Sequence, residues 1–158
     1  MLPAPLDRAR AFLACHRIAL VGASRDPRSF SRTVQRALVA RGYDVVPVNP
    51  AAAAIGGRTA STRVQDVAPP PEAVLVMTRP SRAGDAVRDS LAAGVRHVWL
   101  HRGGGRGCAS DEAVALCRAA GIEPVMNLCP FMVLPNAGFV HRLHAAVRGA
   151  RSRRAAEA

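Results

Sequence analysis

The chain has 158 residues, of which 49% are hydrophobic and 21% charged, and this balance predicts one folded domain and excludes a disordered chain. No apolar run approaches the roughly 20 residues that cross a bilayer, and no secretion signal is present, so we expect a soluble, cytoplasmic protein. The net charge is +11, and all 22 basic residues are arginine. The absence of lysine excludes Schiff-base chemistry and a P-loop lysine, while the arginine excess suits an anionic partner or reflects coding bias alone.

The cysteines and histidines show no metal-binding pattern. Cys15, Cys108, Cys117 and Cys129 have no C-x-x-C pairing, and we expect free thiols rather than a disulfide framework. His141 and His144 lie three residues apart on a predicted helix, but no third ligand accompanies them. We therefore predict no metal.

The first part of the chain has the pattern of a βαβ unit, in which apolar runs alternate with helical periodicity. Its predicted elements are a lead-in helix (6–15), a buried strand (17–21), a helix that ends at Gly42, a second strand (43–48) and a loop (49–57).

The alternation continues beyond Pro69-Pro70-Pro71. The predicted elements there are a strand (73–77), a helix (82–93) capped by Ser81 and ended by Gly94, a strand (95–100), a helix between Ser110 and Gly121, a fifth strand (122–126) and a last helix (139–147).

This alternation predicts an α/β fold, namely a doubly wound, mostly parallel sheet with helices on both faces, in a single domain. We place a helical lead-in at residues 1–16, the main domain at 17–136, a C-terminal helix at 137–150 and a basic tail, expected to be disordered, at 151–158.

Ligands of such sheets bind at the carboxyl ends of the strands. Small residues, hydroxyl groups and arginines gather in those segments, and this composition favours a nucleotide or a phosphate. The segments are Gly22-Ala23-Ser24, Val48-Asn49-Pro50, Thr78-Arg79-Pro80, His101-Arg102-Gly103 and Asn127-Leu128-Cys129-Pro130.

The dinucleotide fingerprint G-x-G-x-x-G is absent from the first turn. Ser24 and Pro27 stand where the fingerprint needs glycine, and Asn49-Pro50 stands where NAD-binding chains have an acidic residue for the ribose. The segments also hold no pair of carboxylates and no Ser/His/Asp arrangement, so no catalytic machinery is predicted.

Three stretches carry a resemblance to a known family. They are the Gly-x-Ser turn and the helix after it in residues 18–31, the run Gly42-Tyr43-x-Val-x-Pro-Val-Asn-Pro50, and Cys129-Pro130. Together they resemble the small bacterial CoA-binding-domain proteins, which are similar to the CoA-binding domain of the succinyl-CoA synthetase alpha subunit standing alone. The resemblance implies a Rossmann-like fold and noncovalent binding of coenzyme A (CoA), with no established reaction.

The resemblance also implies roles for individual residues. The first loop would receive the CoA phosphates, the end of the second strand would flank the nucleotide, the next strand end would border the adenosine, and the fourth would lie near the pantetheine, with Cys129 at the mouth of the site. The implied residues are Gly22, Ala23, Ser24, Arg25, Pro27, Ser31, Arg32, Asn49, Pro50, Thr78, Arg79, His101, Arg102, Gly103 and Cys129.

Several of these residues have a structural alternative. Ser24 and Ser31 can make turn and cap hydrogen bonds instead, and we expect one of Arg25, Arg28 and Arg32 to contact phosphate. Cys129 is either a buried structural residue or a thiol that forms a mixed disulfide with CoA.

Three classes of function follow. The first is a noncatalytic module that binds CoA or an acyl-CoA, as a homo-oligomer or with a partner subunit. The second is a subunit of an acyl-CoA ligase that acts with another chain, or a protein that binds a different adenine nucleotide. A nucleic-acid partner suits the charge but is disfavoured, because only 4% of the residues are aromatic.

Overall fold

Parallel strands form the centre of the molecule. The computed structural model describes residues 4–101 and 107–135. Its strands are β1 (Arg17–Val21), β2 (Asp44–Val48), β3 (Ala54–Ile55), β4 (Arg58–Thr59), β5 (Ala73–Val76) and β6 (His97–Leu100). Its helices are α1 (Pro5–Leu13), α2 (Phe30–Val39), α3 (Pro80–Ala92) and α4 (Asp111–Ala119), with 3-10 turns at Val64–Asp66 and Pro130–Met132.

The main sheet has the order β2-β1-β5-β6, and all its pairs are parallel. In β1, Ile18 is paired with Val45 on one side and with Ala73 on the other. This register confirms the predicted doubly wound, Rossmann-like sheet. It also brings the carboxyl ends of the strands to one edge, which we call the carboxyl edge.

The two faces of the sheet bury separate apolar layers. Ile18 and Leu20 point into a layer that includes Phe12 of α1 and Leu38 of α2, whereas Ala19 points into the layer that includes Val87 of α3. The near-continuous apolar strands in the sequence reflect this burial on both faces.

The predicted fifth strand is wrong as a full strand. Only Val125 pairs with the sheet there, through an isolated parallel bridge to Trp99. Val125 donates to the carbonyl of Val98 and accepts from the N–H of Leu100, both at 2.9 Å. The preceding Pro124 has no N–H to extend the ladder.

Two other boundaries differ from the sequence predictions. Helix α3 begins at Pro80, and its N-cap is Arg79 rather than Ser81, because proline suits the first helical position. Residues 49–57 are not wholly loop: Ala54–Ile55 pairs with Arg58–Thr59 across a two-residue Gly-Gly turn. The predicted C-terminal helix and basic tail lie outside the described residues.

Candidate functional site

The strand order creates a crevice at the carboxyl edge. From β1 the chain passes to β2 on one side and then to β5 on the other side of β1. The connections therefore diverge between β1 and β5, which is where ligands of doubly wound sheets bind.

Gly22 brings the two strand ends of this crevice together. It has a φ of +87°, and a Cβ built there would lie 2.8 Å from the backbone of Met77 and 2.9 Å from the N atom of Thr78. A side chain at this position would therefore be both strained and crowded.

Hydrogen bonds within the first loop set its shape. The N–H of Ser24 donates to Oγ of Ser31 at 3.0 Å, and Oγ of Ser24 accepts from the N–H of Asp26 at 3.1 Å. Ser29, not Ser31, is the N-cap of α2 and accepts from the N–H of Arg32. Among the hydrogen bonds of residues 4–101 and 107–135, none uses the N–H of Arg25. That donor remains available to a bound anion.

Asn49 ties the end of β2 to this loop. Its Nδ2 donates to the carbonyl of Ala23 at 2.8 Å, while its Oδ1 accepts from the N–H of Ala51 at 2.8 Å. Pro50 is exposed beside it. Asn49 thus has a structural role, because it holds the end of β2 next to the first loop, and both of these are predicted site segments.

The β3–β4 hairpin covers part of α2. Buried Gln35 donates from Nε2 to the carbonyl of Ile55 at 3.2 Å. A Cβ on Gly56, whose φ is +63°, would lie 2.8 Å from Nη2 of Arg32. The guanidinium of Arg32 therefore lies against the tip of the hairpin, and its buried Nε has no hydrogen-bond partner among the described residues.

The end of β5 lies across the crevice. Thr78 is half-buried, and its Oγ1 donates to the carbonyl of Arg79 at 3.2 Å. Arg79 is the N-cap residue of α3 but makes no side-chain cap hydrogen bond, and both Arg79 and Arg82, in the first turn of this helix, are exposed.

Aromatic side chains bring the last two strand-end segments to the first loop. The ring of His101 lies 5.1 Å from the ring of Phe30, which lies 5.9 Å from the ring of Phe131. His101 is only 4% exposed, so it is packed in the structure rather than presented on the surface. The predicted residues Arg102 and Gly103 lie outside the described residues.

Burial makes the cysteine thiols poor nucleophiles. It raises the pKa of Cys129, although the backbone N–H of Phe131 lowers that pKa in part. Burial also raises the pKa of Cys108 to about 12 and that of Cys117 to about 11. The thiolate fraction of Cys129 at neutral pH is thus below that of an ordinary cysteine, which disfavours a mixed disulfide.

Whether an arginine side chain has a partner depends on where it lies in the fold. Away from the carboxyl edge they have partners: Arg17 and Arg58 both bind Asp44, and Arg118 binds Glu123 at 2.9 Å. By contrast, four arginine side chains have no ion pair or hydrogen bond within the described part of the chain, and all four follow β1 or β5 at the carboxyl edge. They are Arg25, Arg32, Arg79 and Arg82. The carboxyl edge therefore carries uncompensated positive charge.

The described residues offer neither a metal-binding cluster nor a membrane-spanning helix. They contain no cluster of three or more His, Cys, Asp or Glu side chains arranged to hold a metal ion. None of their helices has the length and apolar character needed to cross a membrane.

A family model described as a CoA binding domain matches residues 16–135. The chain belongs to this family. Membership in the CoA binding domain family supports a CoA-related role and confirms the resemblance carried by the Gly-x-Ser turn and the Val-Asn-Pro run.

Several known proteins are similar to this chain. A hypothetical protein from Pyrococcus horikoshii OT3 is 29% identical, with a TM-score of 0.73 over 81% of this chain and 87% of that one. The uncharacterized protein YneT of Bacillus subtilis (strain 168) is 27% identical over 72% of this chain and 81% of its own length. The apo form of a dinucleotide-forming acetyl-coenzyme A synthetase 1 from Ca. Korarchaeum cryptofilum is 24% identical, with a TM-score of 0.60 over 69% of this chain and 25% of that one. This last likeness shows the fold.

Sequence reasoning missed three features of the CoA binding domain's edge. Arg82 could have been predicted as a site residue, because it stands in the first turn of a helix that follows a buried strand. The hairpin could have been predicted from its Gly-Gly pair, whereas Gln35 resembles any surface residue of a helix until its hydrogen bond to Ile55 is known.

Proposed function

We propose that this CoA binding domain binds CoA or an acyl-CoA noncovalently at the carboxyl edge, without catalysing a reaction alone. The observation that carries the proposal is the set of four arginines at that edge whose side chains have no partner among the described residues, whereas Arg17, Arg58 and Arg118, away from that edge, have acidic partners. Arginine is well suited to phosphate, since it stays charged and binds bidentately.

The pyrophosphate of CoA would lie at the first loop. Gly22, Ala23, Ser24 and the N–H of Arg25 surround the start of α2, whose positive dipole end favours an anion. Ser31 and Pro27 then serve by shaping this loop.

The 3′-phosphate of the ribose would lie at Arg32. In doubly wound sheets the ribose points toward the end of the second strand, where NADP-binding chains use an arginine for the extra phosphate. Arg32 lies under the hairpin that follows β2, and the end of β2 carries Asn49 and Pro50 rather than an acidic residue.

The strand order also suggests where the adenosine and the pantetheine of CoA would lie. Thr78 and Arg79 would border the adenosine at the end of β5. The pantetheine would run toward β6, past the segment of His101 and toward Cys129.

The absence of a reaction is proposed from the same segments. The described strand ends contain no carboxylate, so none supplies a general acid or base pair. The raised pKa of Cys129 also argues against a thiol nucleophile.

A second candidate is a subunit of an acyl-CoA ligase that works with another chain. It is favoured by the likeness to the acetyl-coenzyme A synthetase, of which this domain corresponds to a quarter. Co-purification of a second polypeptide would support it, if the mixture then forms an acyl-CoA thioester from a carboxylic acid and CoA, driven by the cleavage of ATP.

The proposed function is tested by thermal unfolding with CoA, dephospho-CoA, NAD and ATP. At about 100 times its dissociation constant, a ligand of the folded state adds about 2.7 kcal/mol, which raises the Tm by roughly 5–10 °C. We expect the largest shift with CoA and a smaller one with dephospho-CoA. A shift with NAD alone, or none with any ligand, would contradict the proposal.

A further inference from the structure

The hairpin of β3 and β4 is held against α2, the helix that carries Arg32. Ile55 of β3 is 2% exposed and belongs to the apolar layer that includes Leu38 of α2. In β4, Nη1 of Arg58 donates to Oδ1 of Asp44 at 3.2 Å, which ties the hairpin to the start of β2. The tip of the hairpin therefore has a defined position beside α2.

Gly56, at this tip, contacts two side chains of α2. Arg32 and Gln35 are three residues apart, so they are neighbours on the surface of the helix. A Cβ built on Gly56 would lie 2.8 Å from Nη2 of Arg32 and 3.0 Å from Oε1 of Gln35. The adjacent Gly57 has a similar positive φ of +74°, but no atom of the described residues lies within 4 Å of its Cβ position. Of the two glycines, Gly56 is thus the one that contacts these side chains.

The side chain of Arg32 is buried along its stem and open at its end. Its Nε is buried without a hydrogen-bond partner among the described residues, whereas its two Nη atoms are not fully buried. Those Nη atoms also have no partner in the described part of the chain. A guanidinium held in this way binds an anion with a smaller loss of side-chain freedom than an arginine in solvent.

Gln35 places an unused acceptor beside this guanidinium. It is 3% exposed, and its Nε2 donates to the carbonyl of Ile55 at 3.2 Å, so the hairpin fixes its amide. Its Oε1 is buried and has no hydrogen-bond partner among the described residues, although buried acceptors are normally paired. Oε1 and Nη2 of Arg32 both lie within 3.0 Å of the Cβ position at Gly56. The partial negative charge of Oε1 therefore attracts the guanidinium toward the tip of the hairpin.

We propose that Gly56 and Gln35 are positioning residues that set the selectivity of the CoA site. They hold the guanidinium of Arg32 where it binds the 3′-phosphate, so that the site prefers CoA to a ligand without this group, such as dephospho-CoA. Glycine is required at the tip, because a Cβ there would displace Nη2 of Arg32. This inference rests on the proposed binding of CoA at the carboxyl edge, with its 3′-phosphate at Arg32.

The first test compares Gly56→Ala with Gly57→Ala by calorimetric titration of CoA and of dephospho-CoA. Both substitutions add a methyl group at a positive φ, but the one at Gly56 also meets Arg32. We expect wild type to bind CoA about 10- to 100-fold more tightly than dephospho-CoA, and Gly56→Ala to reduce this ratio to about threefold or less. Gly57→Ala should keep the wild-type ratio. An unchanged ratio in Gly56→Ala, or equal reductions in the two variants, would overturn the proposal.

The second test removes the amide of Gln35 and leaves the backbone of the hairpin unaltered. Gln35→Met should weaken CoA binding about 5- to 10-fold in the wild-type background and less than about twofold in an Arg32→Ala background, where no guanidinium is left to position. Binding of dephospho-CoA should stay unchanged. Equal losses of CoA affinity in both backgrounds would overturn the proposal, because they would assign the effect to the fold.

These titrations separate the inference from the function on which it rests. Wild type that binds neither CoA nor dephospho-CoA would contradict the proposed function and this inference together. Wild-type selectivity for CoA that survives in both Gly56→Ala and Gln35→Met would overturn this inference alone.

Discussion

Arg17 and Arg32 have the same side chain and opposite surroundings. The guanidinium of Arg17 pairs with Asp44 and donates to the carbonyls of Ala68 and Pro69, whereas that of Arg32 lies against Gly56 without a hydrogen bond among the described residues. Asp44, 27 residues away, reaches Arg17 through the register of β1 with β2, whereas Ala68 and Pro69, 51 and 52 residues away, precede β5 on the other side of β1. Which arginines remain free for a ligand therefore could not be predicted from the sequence.

At Gly22, crowding and strain act together, and alanine substitution measures both. We expect Gly22→Ala to cost about 2–4 kcal/mol of folding free energy, because its Cβ meets the backbone of Met77. Gly42→Ala is the control, since Gly42 has a similar φ of +88° but no atom within 4 Å of its Cβ position. Equal losses in urea denaturation would show that crowding contributes nothing.

The thiols provide a test of burial. Cys15, Cys108 and Cys117 are buried in the native protein, and Cys129 is half-buried with a raised pKa. With a disulfide reagent at pH 7.5 we expect Cys129 to react slowly and the other three to react only after denaturation. Rapid labelling of Cys129 would restore the mixed disulfide with CoA as a possibility.

The secondary structure followed from the sequence where local signals agreed. The buried strands and the Ser110 cap of α4 were predictable from apolar runs and capping residues. The fifth strand was overpredicted, since its apolar run contains Pro124 and only Val125 joins the sheet. The sequence prediction ends a loop at Gly56 and Gly57, although a Gly-Gly pair also makes a hairpin turn, as it does here.

The sequence predicts the N-cap of α4 correctly and the N-cap of α3 wrongly, and one serine substitution at each helix tests this difference. Oγ of Ser110 accepts from the N–H of Ala113 at 3.2 Å, so Ser110→Ala should cost about 1 kcal/mol and lower the Tm by roughly 2–4 °C. Ser81→Ala should leave the Tm unchanged, because Arg79 is the N-cap of α3. A loss from Ser81→Ala would contradict this assignment.

An ion pair connects α3 to the Val64–Asp66 turn and makes stability depend on pH. Hydrogen bonds from Arg63 at 2.5 and 3.1 Å lower the pKa of Asp89. A lowered carboxyl pKa stabilises the fold above the unfolded value and loses that effect as the pH falls through the folded value. We expect Asp89→Asn to be less stable than wild type at pH 7, with a difference that shrinks below about pH 4. If the difference in stability between the two proteins, measured by urea denaturation, did not change with pH, it would come from packing and not from the ion pair.

At the scale of the whole molecule, the residues that stabilise the fold and the residues that we propose to bind the ligand lie in different parts of the sheet. Two apolar layers cover its faces, and Arg17 and Arg58 are paired by Asp44 at the amino end of the strands. The unpaired arginines lie at the carboxyl edge, where connections diverge between β1 and β5. These four arginines give one edge a positive field, which is suited to a ligand with several phosphates.

The central claim is tested most directly by calorimetric titration of CoA into wild type, Arg32→Ala and Arg96→Ala. Arg96 precedes β6 at the opposite edge and is exposed, so its variant has the same charge change without touching the crevice. We predict that Arg32→Ala weakens CoA binding by about 10- to 100-fold, the value of one charge-assisted bond, and has little effect on dephospho-CoA. Arg96→Ala should change the Kd less than threefold. Equal effects of the two variants, or CoA binding that is unchanged in Arg32→Ala, would contradict the account.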